Sequence, residues 1–163
     1  VIEVLDAHIK DTEAATIAYK LMRGAYSQTP AGYATLYGWI ARHGFQPAGM
    51  PGAVYLTMPG QTPEGEAAWE LWAPIADGPA DAEPDEQECG VKRVEPHAVA
   101  SAMHEGPYET AGPTYERLFA WIAEQGYRVA GPPREIYYSD PEEVPPEEYL
   151  TEVQIPVART HYQ

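Results

Sequence analysis

The residues of this chain whose types and spacing could do chemistry are glutamates set among aromatic rings. Glu135 stands two residues before Tyr137, Glu70 two before Trp72, and Glu152 two before Gln154. In an extended strand a spacing of two places both side chains on one face. A carboxylate beside ring faces suits a lipophilic cation. Each ring attracts positive charge by about 0.5–2 kcal/mol, and the carboxylate supplies the counter-charge. Desolvating a carboxyl among aromatics in general raises its pKa, as a general acid or base requires. Glu135 is therefore also the candidate catalytic residue should the chain be an enzyme.

Other chemistries find little support. The five histidines (His8, His43, His97, His104, His161) show no metal-ligand spacing. Cys89 is the only cysteine, which excludes an internal disulfide framework, and its position in an acidic linker is a poor setting for a thiolate. Gly49-Met50-Pro51-Gly52 reads as a turn rather than a phosphate loop, and no Gly-x-Ser-x-Gly elbow occurs. Neither a metal nor a cofactor is expected. Ten Lys and Arg against 25 Asp and Glu give a net charge of −15, a field that repels nucleic acid and attracts cationic ligands or a basic protein surface. No apolar run is long enough for a membrane helix, and Val1-Ile2-Glu3-Val4 lacks the features of a signal peptide. A soluble, cytoplasmic protein is expected.

The elements that position these residues come in two copies. Sliding the chain by 82 residues aligns 9–75 with 91–157 without a gap. Lys10, Gly24, Tyr26, Tyr33, Trp39, Gly44, Tyr55 and Glu70 meet Lys92, Gly106, Tyr108, Tyr115, Trp121, Gly126, Tyr137 and Glu152. Two units are too few for a solenoid, so one domain over 1–163 is expected, a pair of repeats joined by the acidic segment 77–88. Each copy reads strand, helix, strand, strand. Tyr115, Leu118, Phe119 and Ile122 form one helical stripe after Pro113 and before Gly126; Tyr33, Leu36, Tyr37 and Ile40 repeat it between Pro30 and Gly44. The expected fold is α+β, a tandem β-α-β-β repeat with antiparallel sheets and the helices on one side.

Alternation also assigns faces. Val153, Ile155 and Val157, joined by Ile136 and Tyr138, are expected under the helix stripe, as are Leu71, Ala73 and Ile75 in the first copy. The opposite face is expected to collect Glu135, Tyr137, Glu152 and Gln154, with Tyr55, Glu70 and Trp72 as first-copy counterparts. Ala98, Ala100 and Ala102 leave room beside it. The counterpart of Glu135 is Ala53, so one charge breaks the repeat where a binding site would need only one.

The stretch His104-Glu105-Gly106-Pro107-Tyr108-Glu109, the Tyr115–Gly126 helix, Glu135-Ile136-Tyr137 and the run from Thr151 to Val157 resemble the GyrI-like family, which includes effector-binding domains of AraC-type and MerR-type regulators. The resemblance is good over 91–157 and weaker over 9–75. It implies pseudo-twofold symmetry, a central ligand groove between the units, and a buried glutamate, matched by Glu135, among aromatics such as Tyr137 and Tyr108. With no room for a helix-turn-helix before residue 9, it implies a free-standing member. The first copy departs from the pattern at Ala53 and at Arg23-Gly24-Ala25-Tyr26, which lacks the proline of Gly106-Pro107-Tyr108.

Three functions follow. The first is binding of lipophilic, cationic aromatic compounds, with Glu135, Tyr137, Glu152, Tyr55, Glu70, Trp72 and Tyr108 as contacts. The second, from the resemblance, is hydrolysis of electrophilic cyclopropane-type genotoxic compounds through Glu135. The third is action on a protein partner, as in relatives linked to DNA gyrase, for which the acidic surface would imitate DNA.

Overall fold

The computed structural model of the chain describes residues 6–58, 62–63, 65–79 and 81–160. Val1 to Val4 and His161, which figure in the sequence reading, lie outside them. The strands are β1 (Ala7–Asp11), β2 (Ala15–Gly24), β3 (Gly52–Tyr55), β4 (Ala67–Pro74), β5 (Asp81–Ala82), β6 (Cys89–Val94), β7 (Ala98–Glu105), β8 (Tyr127–Val129), β9 (Arg134–Tyr137) and β10 (Leu150–Arg159); the helices are α1 (Thr29–Arg42) and α2 (Gly112–Glu124).

These elements divide into two compact units. An N-terminal unit comprises Glu13–Glu95, and a C-terminal unit comprises Pro96–Gln163 together with Val1–Thr12. The first is an antiparallel sheet in the order β3-β4-β2-β6-β5. The second runs β1-β7-β10-β9, with β8 pairing the far end of β10. The α+β class and antiparallel pairing agree with expectation, but each sheet holds a strand the sequence reading lacked. β1 leads the first repeat yet pairs with β7, while β6 leads the second yet pairs with β2. The units and the sequence repeats therefore do not share boundaries.

Both helices form where stripe and punctuation agree. Each has Pro in its first turn, and Gly44 and Gly126 past the ends take positive φ of 75° and 81°, which a side chain would disfavour. Leu36, Trp39 and Ile40 of α1 are buried, as are Tyr115, Leu118 and Ile122 of α2; Phe119 instead lies at the edge of its stripe, 36% exposed.

The acidic segment 77–88 is more than a connector. β5 pairs with β6, and Asp85 accepts hydrogen bonds from Trp39 Nε1 at 2.6 Å and from the Gln87 backbone N–H at 2.9 Å. Gln87 is held by Arg42, whose Nη2 donates to its side chain, and by Lys20, whose Nζ donates to its carbonyl. Cys89, expected in a loose linker, is instead fully buried at the start of β6, where burial raises its thiol pKa. His104, one of the histidines without metal-ligand spacing, is buried with Thr114 and the Pro107 carbonyl as partners.

Candidate functional site

Directly opposed residues in an antiparallel sheet share a face. Across β7, β10 and β9 one row runs Ala102–Val153–Glu135 and the next His104–Thr151–Tyr137. Both rows lie on the side of Val153 and Ile155, the side that α2 covers. The rows between them, Met103–Glu152–Ile136 and Ser101–Gln154–Arg134, lie on the other side. The expected faces are corrected accordingly. Glu135 and Tyr137 are under the helix, Glu152 and Gln154 are on the open face, and Ile136 and Tyr138 are there with them. The two strands pair one residue out of phase with the sequence assignment, and a slip of one inverts every side chain. In the N-terminal unit Glu70 and Trp72 share the open face as expected. Tyr55 does not, because it opposes Trp69 and sits on the helix side.

Under α2, Glu135 is buried and held by two phenols. Tyr115 donates from the helix at 2.5 Å, and Tyr137 donates from two residues along β9 at 2.9 Å. Tyr108, in a single 3-10 turn before α2, sets its ring edge-on to Tyr137 (centroids 5.3 Å apart) and stacks on Tyr149 at 5.0 Å. The Tyr108 ring is 42% exposed, so it is the outer member of the cluster. Burial first, then the neighbouring phenol of Tyr149 and the carboxylates of Glu135 and Glu109, raises its hydroxyl pKa.

The open face of the same unit is differently built. Glu152 is 3% exposed and surrounded by donors: Lys10 Nζ at 2.6 Å, Ser101 Oγ and Tyr138 hydroxyl at 2.7 Å, and Gln154 Nε2 at 2.8 Å. Burial works against the carboxylate, but these hydrogen bonds outweigh it and hold the pKa at about 2. Burial and Glu152 together push Tyr138 up to about 12. In the N-terminal unit Lys92 Nζ reaches Glu70 at 2.6 Å and lies 4.6 Å from the Tyr19 ring centre and 5.0 Å from that of Trp72. Trp72 Nε1 also donates to Glu70 at 3.0 Å. This cage of aromatics and carboxylate thus holds the protein's own cation.

The site residues fall into separate groups. Glu135, Tyr137 and Tyr108 come together; Glu152 belongs to the Lys10 network, Glu70 and Trp72 to the Lys92 cage, and Tyr55 to a ring cluster with Tyr26 and Trp69. Sequence reasoning missed Tyr115, assigned only to the core stripe, and both lysines. Lys10 and Lys92 are 82 residues apart, as are their partners Glu152 and Glu70, so two opposite charges recurring in one register signalled the pairs.

Residues 78–158 match the family model described as a GyrI-like small molecule binding domain. The chain belongs to the GyrI-like family. Solved structures with this fold include EcmrR in a complex with DNA (TM-score 0.83, 18% identity, 98% of this chain) and the isolated EcmrR C-terminal domain (0.76, 19%, 97% of this chain and 100% of that one). The chain spans 59% of the length of EcmrR in that DNA complex. A hydrolase from Listeria innocua has a TM-score of 0.66 at 16% identity, with 93% of this chain and 91% of that one covered. SAV2435 bound to tetraphenylphosphonium has a TM-score of 0.53 at 15% identity, with 94% of each chain covered. None of the curated protein sequences matches the chain. Among the described residues no helix is long and apolar enough to cross a membrane, and no three His, Cys, Asp or Glu side chains gather as a metal site.

Proposed function

We propose that this GyrI-like protein binds lipophilic aromatic cations at Glu135, with Tyr108, Tyr115 and Tyr137 as the aromatic surround. The observation that carries the reading is a buried carboxylate held by two phenol hydroxyls under a partly exposed tyrosine ring. Phenols are neutral donors, so they hold the carboxylate without adding a charge of their own. The surrounding rings add about 0.5–2 kcal/mol each for a cation and exclude water from the pair. Because Glu135 is covered here, access requires the Tyr108 ring to turn outward and the Tyr137 hydrogen bond to be exchanged. SAV2435, of the same fold, is bound to a tetraaryl cation of this class. Calorimetric titration with tetraphenylphosphonium tests the reading. Wild-type binding should weaken at least about tenfold in Glu135→Gln, the loss of one charged partner being about 1.5–3 kcal/mol. An unchanged dissociation constant, with the fold intact, would sink it.

The likeness in fold to the Listeria innocua hydrolase supports a second reading, hydrolysis of an electrophilic cyclopropane-type ring with Glu135 as general acid or base. Mass analysis of such a substrate would show turnover that disappears in Glu135→Gln. Turnover surviving that change would remove Glu135 from the mechanism.

A further inference from the structure

Beside Glu135 lies a buried hydroxyl without a hydrogen-bond partner among the described residues. It is Oγ1 of Thr151, a residue 1% exposed. It stands on the α2 side of β10, directly opposite Tyr137 on β9 and next to the row that carries Glu135. Buried polar side chains are nearly always hydrogen-bonded, so an orphan at this place needs a physical account.

The N-terminal unit supplies the comparison. There the corresponding rows on the helix side read Lys20–Leu71–Ala53 and Met22–Trp69–Tyr55. Positions 82 residues apart pair Ala53 with Glu135, Trp69 with Thr151 and Met22 with His104. Ala53 and Met22 thus give way to a carboxylate and an imidazole, and Trp69, whose buried indole Nε1 also has no partner among the described residues, gives way to a smaller hydroxyl. His104 is satisfied by Thr110, Thr114 and the Pro107 carbonyl, and Glu135 accepts from Tyr115 and Tyr137. Of these three polar groups Thr151 is the one without a partner among the described residues. A threonine placed there only to pack would be a valine at lower cost, since the methyl needs no partner.

Resting on the Glu135 reading, we infer that Thr151 is a specificity-determining residue that accepts a hydrogen bond from the ligand. The ligand class is then narrower than lipophilic cations at large. It is a protonated aromatic amine carrying at least two N–H groups, one for the Glu135 carboxylate and one for the Thr151 hydroxyl. A quaternary cation fills the rings and meets the charge but leaves Oγ1 unpaired, so it binds more weakly than its protonated analogue.

The test uses a matched pair with one aromatic body and one charge, 4-phenylbenzylammonium and its N,N,N-trimethyl derivative, with tetraphenylphosphonium as the donor-free reference. Titration calorimetry at neutral pH compares wild type, Thr151→Val and Thr151→Ser. Thr151→Val should weaken the primary ammonium about tenfold and change the two donor-free cations by less than about twofold; Thr151→Ser should restore most of the affinity. Valine matches the shape and removes the orphan, so the thermal midpoint of Thr151→Val should equal or exceed that of wild type, which separates lost recognition from lost folding. If Thr151→Val fails to fold, Thr151→Ala takes its place with the same expected selectivity. An equal loss for all three cations, or no loss for the ammonium, overturns the role of Thr151 while leaving the Glu135 site standing. If none of the three binds wild type, the Glu135 reading falls and this inference with it.

Discussion

The carboxylate of Glu152 should make the stability of this protein depend on pH in a defined window. Its folded pKa of about 2 lies below the ordinary glutamate value of 4.5, so the unfolded state takes up the proton first on acidification. A depressed folded pKa contributes stability that is fully present above about pH 4.5 and is lost as pH falls toward about 2. At about 1.4 kcal/mol per unit, the shift sets an upper bound of about 3 kcal/mol. Lys10 is 39% exposed, so solvent screens the strongest partner and the realised contribution is about 1–2 kcal/mol. The perturbation is Glu152→Gln, which mimics the protonated form. Urea unfolding at pH 7 should show a midpoint lowered by roughly 0.5–1 M, and the gap from wild type should close on acidification, with about half gone by pH ~3. Comparing the two proteins at each pH cancels the other carboxylates. Lys10→Met should move the wild-type transition to higher pH, because the remaining donors are neutral. A difference between wild type and Glu152→Gln that stays constant from pH 7 to pH 3 would refute the reasoning.

Two further outcomes are expected from the N-terminal unit. Lys92→Met should lower stability by about 1 kcal/mol, the sum of a partly exposed ion pair and two ring contacts, and should change tryptophan emission because Trp72 loses the ammonium above it; denaturant midpoints and emission spectra unchanged from wild type would contradict the cage. Gly90→Ala should destabilise by about 1–3 kcal/mol, because a Cβ there would collide with the Ala82 backbone carbonyl, which cannot yield as a side chain could. Amide exchange in Asp81–Ala82 and Cys89–Val94 should speed up with it, and wild-type protection would contradict the crowding.

The helices were legible because independent signals coincide: an apolar stripe, a proline in the first turn and a glycine just past the end. The phase of β9 was not. Glu135-Ile136-Tyr137-Tyr138 offers an apolar or aromatic residue on both faces, so period two alone cannot say which side is buried, and charge argued for the wrong one. Register decided the matter by setting Glu135 opposite Val153. β1 and β6 were missed for another reason. Ala7–Asp11 and Cys89–Val94 are short, carry lysines, and lack the alternation of an amphipathic strand. What makes them strands is a partner far away in sequence, β7 for the one and β2 for the other.

The 82-residue register of the sequence helps to divide scaffold from site. Lys10 and Lys92 recur in one register, Glu152 and Glu70 recur with them, and in both units the pair closes at 2.6 Å. A charge kept in both copies and neutralised in both is doing the same structural work twice. It fastens the added strand to its sheet, which is why matched glutamates are weak candidates for ligand contact. Glu135 is the opposite case. Its counterpart is Ala53, and burying a carboxylate costs stability that alanine avoids at the same place. The neighbouring pair, Trp69 and Thr151, does not divide the copies in this way, because the Trp69 indole N–H and the Thr151 hydroxyl are both buried without a hydrogen-bond partner among the described residues. The asymmetry that sets one position apart from the matched glutamates is therefore the one at Glu135.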